Sequence, residues 1–212
     1  MNCGLGNLTT LKAHLLPAQS LAGETRFDQV IEDIGRGTAA MMENFCNRKF
    51  ARAVGDQAVF QADRASFLLP RYPLEAVSLV ELKMKDSDGF VPQPADFIES
   101  TSLSAGIVYL PDQADAAQYW SEVRFTFTGG YFFEQLEPDD AAYPSALPAG
   151  ATALPDDLKM AWLMQCREIW NKIDKIGGGL LDEPDKQTSV GELKLSPLVT
   201  QMLWNYRQMQ PI

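Results

Sequence analysis

The stretch Val123–Phe132, VRFTFTGGYF, decides how this chain reads. Val123, Phe125 and Phe127 alternate with Arg124, Thr126 and Thr128, the period of a strand with one buried face. The run stops on Gly129-Gly130 beside Tyr131. A glycine pair after a strand is either a phosphate-cradling loop or the exit from a sheet. A phosphate loop needs a lysine and a helix N-terminus immediately behind it. Tyr131-Phe132 and an acidic segment follow instead. The glycines therefore read as a sheet exit.

Working upstream, AVFQADR, SFLLPRYPL, AVSLVELKMK, DFIES and GIVYL are short and rich in β-branched or aromatic residues. Turn chemistry separates them, at Asp86-Ser-Asp-Gly89 and Pro92-Gln-Pro94. With VRFTFTGG they predict an antiparallel β unit of about five or six strands. Pro70 and Pro73 confine their segment to an edge or a bulge, because proline cannot donate to a ladder.

The flanks have a helical period. Thr9–Leu16 predicts a short helix stopped by Pro17 and followed by the linker-like AQSLAGE. Phe27, Val30, Ile31, Ile34, Met41 and Phe45 recur at helical spacing, with Thr25 as N-cap. Gly35 and Gly37 interrupt that pattern, each costing about 1 kcal/mol against alanine, and leave room for another helix to approach. Arg48 and Lys49 are charges suited to the end of this helix.

Beyond the β unit, 134–152 is rich in Pro, Ala and acids, and reads as a long surface loop. LPDDLKMAWLMQCREIWNKIDKIGGG then predicts a helix, with Asp156-Asp157 favoured at its N-terminus by the helix dipole. Leu158, Trp162, Ile169, Ile173 and Ile176 form its apolar stripe, and Gly177–Gly179 terminates it. A second loop, LLDEPDKQTSVGELKL, leads to a last helix, SPLVTQMLWNYRQMQPI, with Ser196 as N-cap and Pro197 at the first helical position.

The expected fold class is α+β, a helical bundle with the β unit inserted and a C-terminal helix or tail. The expected division is 1–23 as N-terminal helix and linker, 24–52 with 153–212 as helical core, 53–133 as β unit and 134–152 as loop.

The 212 residues carry 18 basic and 28 acidic side chains, a formal charge of −10. Tight nucleic-acid binding needs the opposite balance. An acidic surface is instead one that DNA slides past. No apolar run approaches the ~20 residues of a membrane span, so no membrane partner is expected. The N-terminus has no basic region followed by an apolar core, so no secretory signal is expected. Nor does it have the Met-Gly start that myristoylation requires. Cys3, Cys46 and Cys166 are odd in number and far apart, which argues against a disulfide framework and for a reducing compartment. Cys46 and Cys166 fall within helical patterns as small core residues.

Signals for catalysis are weak. His14 is the single histidine, on a leucine-rich helix, and the cysteines never approach zinc-ligand spacing. Asp112 with Asp115, Asp139 with Asp140, and Asp156 with Asp157 could hold a divalent metal, but such pairs in loops or at helix starts are ordinarily solvated or capping. DSDG at Asp86–Gly89 imitates the start of a calcium loop, yet Phe97 occupies the twelfth position where glutamate is needed. GLGN, GRGT and GGG lack the strand–turn–helix context of a nucleotide fingerprint, and no Gly-x-Ser-x-Gly elbow occurs. No catalytic, cofactor-binding or metal-binding residue is assigned, and no cofactor is expected.

Several motifs stand in a telling order. Arg48 and Phe50 close a helix, and Leu69, Pro70 and Pro73 begin a strand. Phe127, Gly130 and Tyr131 end another strand. Leu154, Pro155 and Leu158 begin a helix, and Leu203, Tyr206 and Arg207 lie near the chain end. This succession resembles the head-to-tail connector, or adaptor, proteins of tailed bacteriophages and related prophage elements. The resemblance spans most of Phe27–Arg207. The 134–152 loop is longer than the family usually carries, and Thr9–Gly23 has no match in it.

The resemblance implies a structural virion protein of the neck, assembled in the host cytoplasm. Such proteins form a ring, usually of about twelve copies, beneath the portal and extend the channel through which DNA passes without specific binding. Implied partners are the portal protein, further copies of the chain, and a stopper or tail component below. In that family the C-terminal tail commonly docks on the portal. MLWNYRQMQPI is rich in Met, Trp and Tyr, types enriched in interface cores. Met202, Leu203, Trp204, Tyr206, Arg207, Met209 and Ile212 are thus the candidate portal-facing residues; the alternative is that Leu198, Met202 and Trp204 cover the chain's own core. Two other functions compete. A stopper or tail terminator would typically be smaller and mainly β, against the two long helical patterns here. A metal-dependent hydrolase would rely on the acidic pairs around Asp139 and Asp156.

Overall fold

The computed structural model describes residues 3–15, 25–111, 119–133, 147–179 and 194–208. Two compact units emerge, one of Arg48–Phe132 with Leu147–Ala153, the other of the remaining described residues.

The first unit is built on β7 (Trp120–Gly129). It lies between β1 (Ala53–Gln61) and β3 (Leu74–Met84), both antiparallel to it, and β4 (Phe90–Pro92) follows β3. A second antiparallel sheet has the order β2 (Ser66–Leu68), β6 (Ile107–Tyr109), β5 (Ser100–Ser102). The alternation read in VRFTFTGG is observed: Val123, Phe125 and Phe127 are fully buried. They pack with Phe67, Leu69, Val80, Leu82 and Val108, and the rings of Phe60, Phe67 and Phe125 lie 5.2 to 6.0 Å apart. On the opposite face Arg124 grips Glu81 with two hydrogen bonds of 2.6 and 2.7 Å, the bidentate geometry natural to a guanidinium. Asp86–Gly89 forms the β3–β4 turn, with Gly89 N donating to Ser87 Oγ. The segment Asp96–Ser100 was expected as strand. Its first two residues end a 3-10 turn (Ala95–Phe97) behind Pro94, and strand β5 begins only at Ser100.

Gly129-Gly130 is the sheet exit, and the exit is crowded. A Cβ on Gly129 would sit 2.8 Å from the Arg71 carbonyl. Gly130 has φ +97°, and its Cβ would lie 2.6 Å from the Ala51 carbonyl. The backbone is stitched on both sides: Gly130 N donates to Pro73 O at 2.8 Å and Tyr131 N to Phe50 O at 2.7 Å. Lys49 N reaches Pro70 O at 2.8 Å in the same place. Arg48, buried here, stacks 3.3 Å from the centre of the Tyr72 ring, against Phe50 and Tyr131, and donates to the Tyr72 carbonyl. Three of the motifs that carried the resemblance are therefore one packing junction. After the glycines, β8 (Tyr131–Phe132) pairs in parallel with β9 (Thr152–Ala153).

The second unit holds α1 (Leu8–Leu15), α2 (Asp28–Cys46), α3 (Asp156–Gly179) and α4 (Pro197–Leu203). α2 and α3 pack together, α1 packs on both, and α4 closes on α3 and α2. Ile31, Ile34, Met42, Leu158, Trp162, Ile169, Val199 and Leu203 are buried between them. Cys3, Cys46 and Cys166 are buried and not joined in disulfides. Gly35 admits both the N-terminal segment and helix α1, since a Cβ there would collide with the Cys3 carbonyl and with Leu11 Cδ2.

Two helix boundaries differ from expectation. Thr25 is not the N-cap of α2; Phe27 is, without a side-chain bond, and the Thr25 carbonyl accepts from Asp28 N at 3.1 Å. At the other end Asn47 stops the helix in the left-handed conformation at φ 52°. Arg48 and Lys49 therefore lie beyond it, in the first unit. The chain is α+β, with four α-helices among the described residues and antiparallel sheets inserted between α2 and α3.

Candidate functional site

The C-terminal segment is the candidate site, and its position is set from α3. Ser196 caps α4 by accepting from Val199 N, with Pro197 in the first turn. Gln165, 1% exposed, clamps the approach to that cap. Its Oε1 accepts from Ser196 N at 2.8 Å and its Nε2 donates to the Lys194 carbonyl at 3.2 Å. Burying the amide is tolerable because both of its ends are satisfied. After α4, a 3-10 turn (Trp204–Tyr206) continues the chain.

The candidate residues have different surroundings. Leu203 is fully buried, and its carbonyl accepts from Cys46 Sγ at 3.7 Å. Met202 is half-buried. Tyr206 donates its hydroxyl to Asp157 Oδ1 at 2.6 Å, and Gln208 N donates to the Cys46 carbonyl at 2.8 Å. Trp204 is 52% exposed, with its ring 6.5 Å from that of Phe45. The exposed Arg207 guanidinium lies over both rings, 5.4 Å from Phe45 and 5.3 Å from Trp204. Met209 and Ile212 lie outside the described residues. Leu198, also 52% exposed, stands at the start of α4. The chain thus offers water an aromatic–guanidinium stack on a tethered backbone, the composition of an interface anchor. Neither Phe45 nor Gln165 reads as a site residue in the sequence. Phe45 belongs to a helical stripe and Gln165 to a helix interior, and neither carries a local sign of its distant partner.

The residues considered for catalysis sit as follows. Asp157 Oδ1 accepts from Leu158 N as well as from Tyr206, which occupies it in capping and tethering. Asp112, Asp115, Asp139 and Asp140 lie outside the described residues. No group of three or more metal-ligating side chains occurs among the described residues, and no helix among them is long and apolar enough to cross a membrane. Burial pushes the Cys166 thiol up to about 12 and the Cys3 thiol to about 11, so both are protonated at neutral pH. His14 is half-buried, and its Nε2 has no hydrogen-bond partner among the described residues.

A chain from the structure described as "Neck of empty GTA particle computed with C6 symmetry" superposes with a TM-score of 0.59. This chain has the fold of a neck protein of a gene transfer agent particle. The match covers 99% of this chain and 93% of the other, at 15% sequence identity. A chain of the "Virion of native gene transfer agent (GTA) particle" matches over the same shares, with a TM-score of 0.58 and 16% identity. No protein-family model and no curated protein matches the sequence. At this identity the agreement is one of fold, running from the N-terminal helix to the C-terminal turn.

Proposed function

We propose that this chain is a structural component of the neck of a phage-like particle, an adaptor that assembles as a ring under a portal and extends the DNA channel. The observation that carries this reading is the fold match to a gene transfer agent neck chain over 99% of this chain and 93% of that one. Both matched particles are virion-type assemblies, one of them a neck computed with C6 symmetry, which fits a ring-forming subunit. The motif order points the same way independently of the fold. The role is non-enzymatic, and DNA passes an acidic wall without specific binding, consistent with the charge of −10.

Docking on the portal is assigned to the C-terminal segment, with Trp204 and Arg207 as the groups free to bury and Met209 and Ile212 beyond them. The arrangement suits it: Tyr206 and Gln208 hold the backbone while Trp204 stays half-exposed. Aromatic and arginine side chains are the usual energetic centres of such contacts. The expected neighbours are a portal above and a stopper or tail component below. The test is electron microscopy of the full chain with the portal protein from the same particle. A closed ring seated on the portal is the expected result. A chain that stays a monodisperse monomer and ignores the portal overturns the proposal.

A further inference from the structure

The four-stranded sheet has two edges of very different quality. Ala62 N donates to Ser121 O at 3.1 Å, and the β1–β7 register continues this pairing. Phe60 and Ala58 are therefore bonded to β7, because antiparallel ladders bond alternate residues. Gln57, Val59 and Gln61 turn their backbone groups away from the sheet. At the other edge, Gln93 N donates to Val80 O at 2.8 Å, which leaves Phe90 and Pro92 of β4 facing outward. That edge is three residues long and ends on a proline without an N–H. It cannot template a partner strand.

The β1 edge can. From Gln57 to Gln61 it reads QAVFQ, with no charge and no proline, the devices by which proteins ordinarily blunt an edge. Gln57, Val59 and Gln61 are all exposed, Val59 by 53%. The first carboxylates on either side hold their own cations: Asp56 pairs with Arg71 at 2.7 Å and Asp63 with Arg64 at 2.9 Å. In a chain of net charge −10, this is a stretch where two copies meet without like charges opposed.

We infer that two copies of this chain pair through their β1 edges, antiparallel about Val59, joining the two sheets into one. In that register Val59 N–H bonds the partner's Val59 carbonyl, and Gln61 N–H bonds the partner's Gln57 carbonyl. Each bond occurs twice by symmetry. Gln57 N–H is already taken by Asp56 Oδ1 at 3.0 Å, and the register does not require it. The exposed Val59 side chain meets its own copy, and each glutamine meets a glutamine. Among the described residues the four-stranded sheet offers one competent edge, so a contact through it is isologous and closes at two. A head-to-tail ring must use other surfaces. This inference stands apart from the neck reading, and either can fail without the other.

Light scattering of the full chain after size exclusion tests it. The wild type is expected at twice the chain mass. Val59→Pro removes an outward N–H that the sheet does not use, and is expected at the single-chain mass with its circular dichroism unchanged. Val59→Lys sets two ammonium groups face to face and gives the same result where proline impairs folding. Val59→Cys is expected to be joined to its copy by a short thiol–thiol cross-linker, since a bonded antiparallel pair places its Cα atoms about 5.5 Å apart. Val54→Cys, 70% exposed and off the axis, is expected not to be. A wild type that is monomeric throughout, or an association that survives both Val59→Pro and Val59→Lys, overturns the inference. Absence of the Val59→Cys cross-link in an associated protein overturns it equally.

Discussion

Trp162 Nε1 donates to the carbonyl oxygen of Gly35 across 2.9 Å, joining the first half of α3 to the middle of α2 in a site where the indole is fully buried. The N-terminal segment presses on the same residue, through the Cys3 carbonyl and Leu11.

Gly35 and Gly37 consequently differ in what an added methyl does. Gly35→Ala drives a Cβ into the Cys3 backbone and is expected to cost about 1–3 kcal/mol, as overpacking does. Gly37→Ala faces open space in a helix interior and is expected to add about 0.5–1 kcal/mol. Urea denaturation of the two variants beside the wild type checks both signs. Equal effects would mean that the N-terminal segment is not held on α2.

Acid is expected to loosen the helical unit through His14. Burial, and after it the Arg167 guanidinium, hold this imidazole below its ordinary 6.5. A histidine with a depressed value binds fewer protons folded than unfolded, so stability rises with pH across the window between the two values. The contribution is complete above pH 6.5 and is lost as the pH falls through the folded value. Denaturation midpoints measured from pH 7.5 down to 5 are expected to fall for the wild type. The fall is expected to be shallower for His14→Gln. Parallel curves would remove His14 as the cause.

Those glycines also mark the limit of what sequence could say. Both break the same helical pattern with the same local signature, and only the distant Cys3 and Trp162 distinguish them. Strand periodicity was legible because it is local: Val123, Phe125 and Phe127 alternate, and they are the buried side of β7. The α+β class followed from the change of period along the chain. Boundaries were less legible, since Asn47 stops α2 by adopting a left-handed backbone that many asparagines never adopt. The junction of Arg48, Pro70 and Gly130 was visible as three separate motifs. Nothing local revealed that Phe50, Tyr72 and Tyr131 bring them together around one guanidinium. At the C-terminus the apolar residues were legible as a group, but their division into buried and exposed members was not.

Gly130→Ala is expected to disrupt the β unit more than most glycine changes would. It opposes both a positive φ and the Ala51 carbonyl, and the hydrogen bonds on either side leave the backbone no route to relax. A loss of at least about 1–3 kcal/mol is expected. Gly55→Ala, also at positive φ but with nothing within 4 Å, isolates the conformational part of that loss. Hydrogen exchange at Tyr131 and Arg52 reports the junction directly, since each amide is bonded across it. Unchanged exchange in Gly130→Ala would show that the junction tolerates the side chain.

Leu203 and Trp204 are neighbours with opposite expected phenotypes. Leu203 is fully buried among the helices, and its truncation to alanine is expected to cost about 2–5 kcal/mol. Trp204 is half-exposed and touches Phe45 and Arg207 at its edge, so Trp204→Ala is expected to cost about 1 kcal/mol. For partner binding the order reverses. Trp204→Ala is expected to weaken capture by the portal strongly, as loss of a central aromatic anchor does, while leaving the melting transition nearly in place. Deleting 204–212 is expected to retain the fold, because Leu203 remains, and to abolish capture. A truncation that unfolds would show that the Tyr206–Asp157 and Gln208–Cys46 tethers are structural requirements of the helical unit. A folded Trp204→Ala protein that binds the portal as well as the wild type does would move the docking surface elsewhere on the chain.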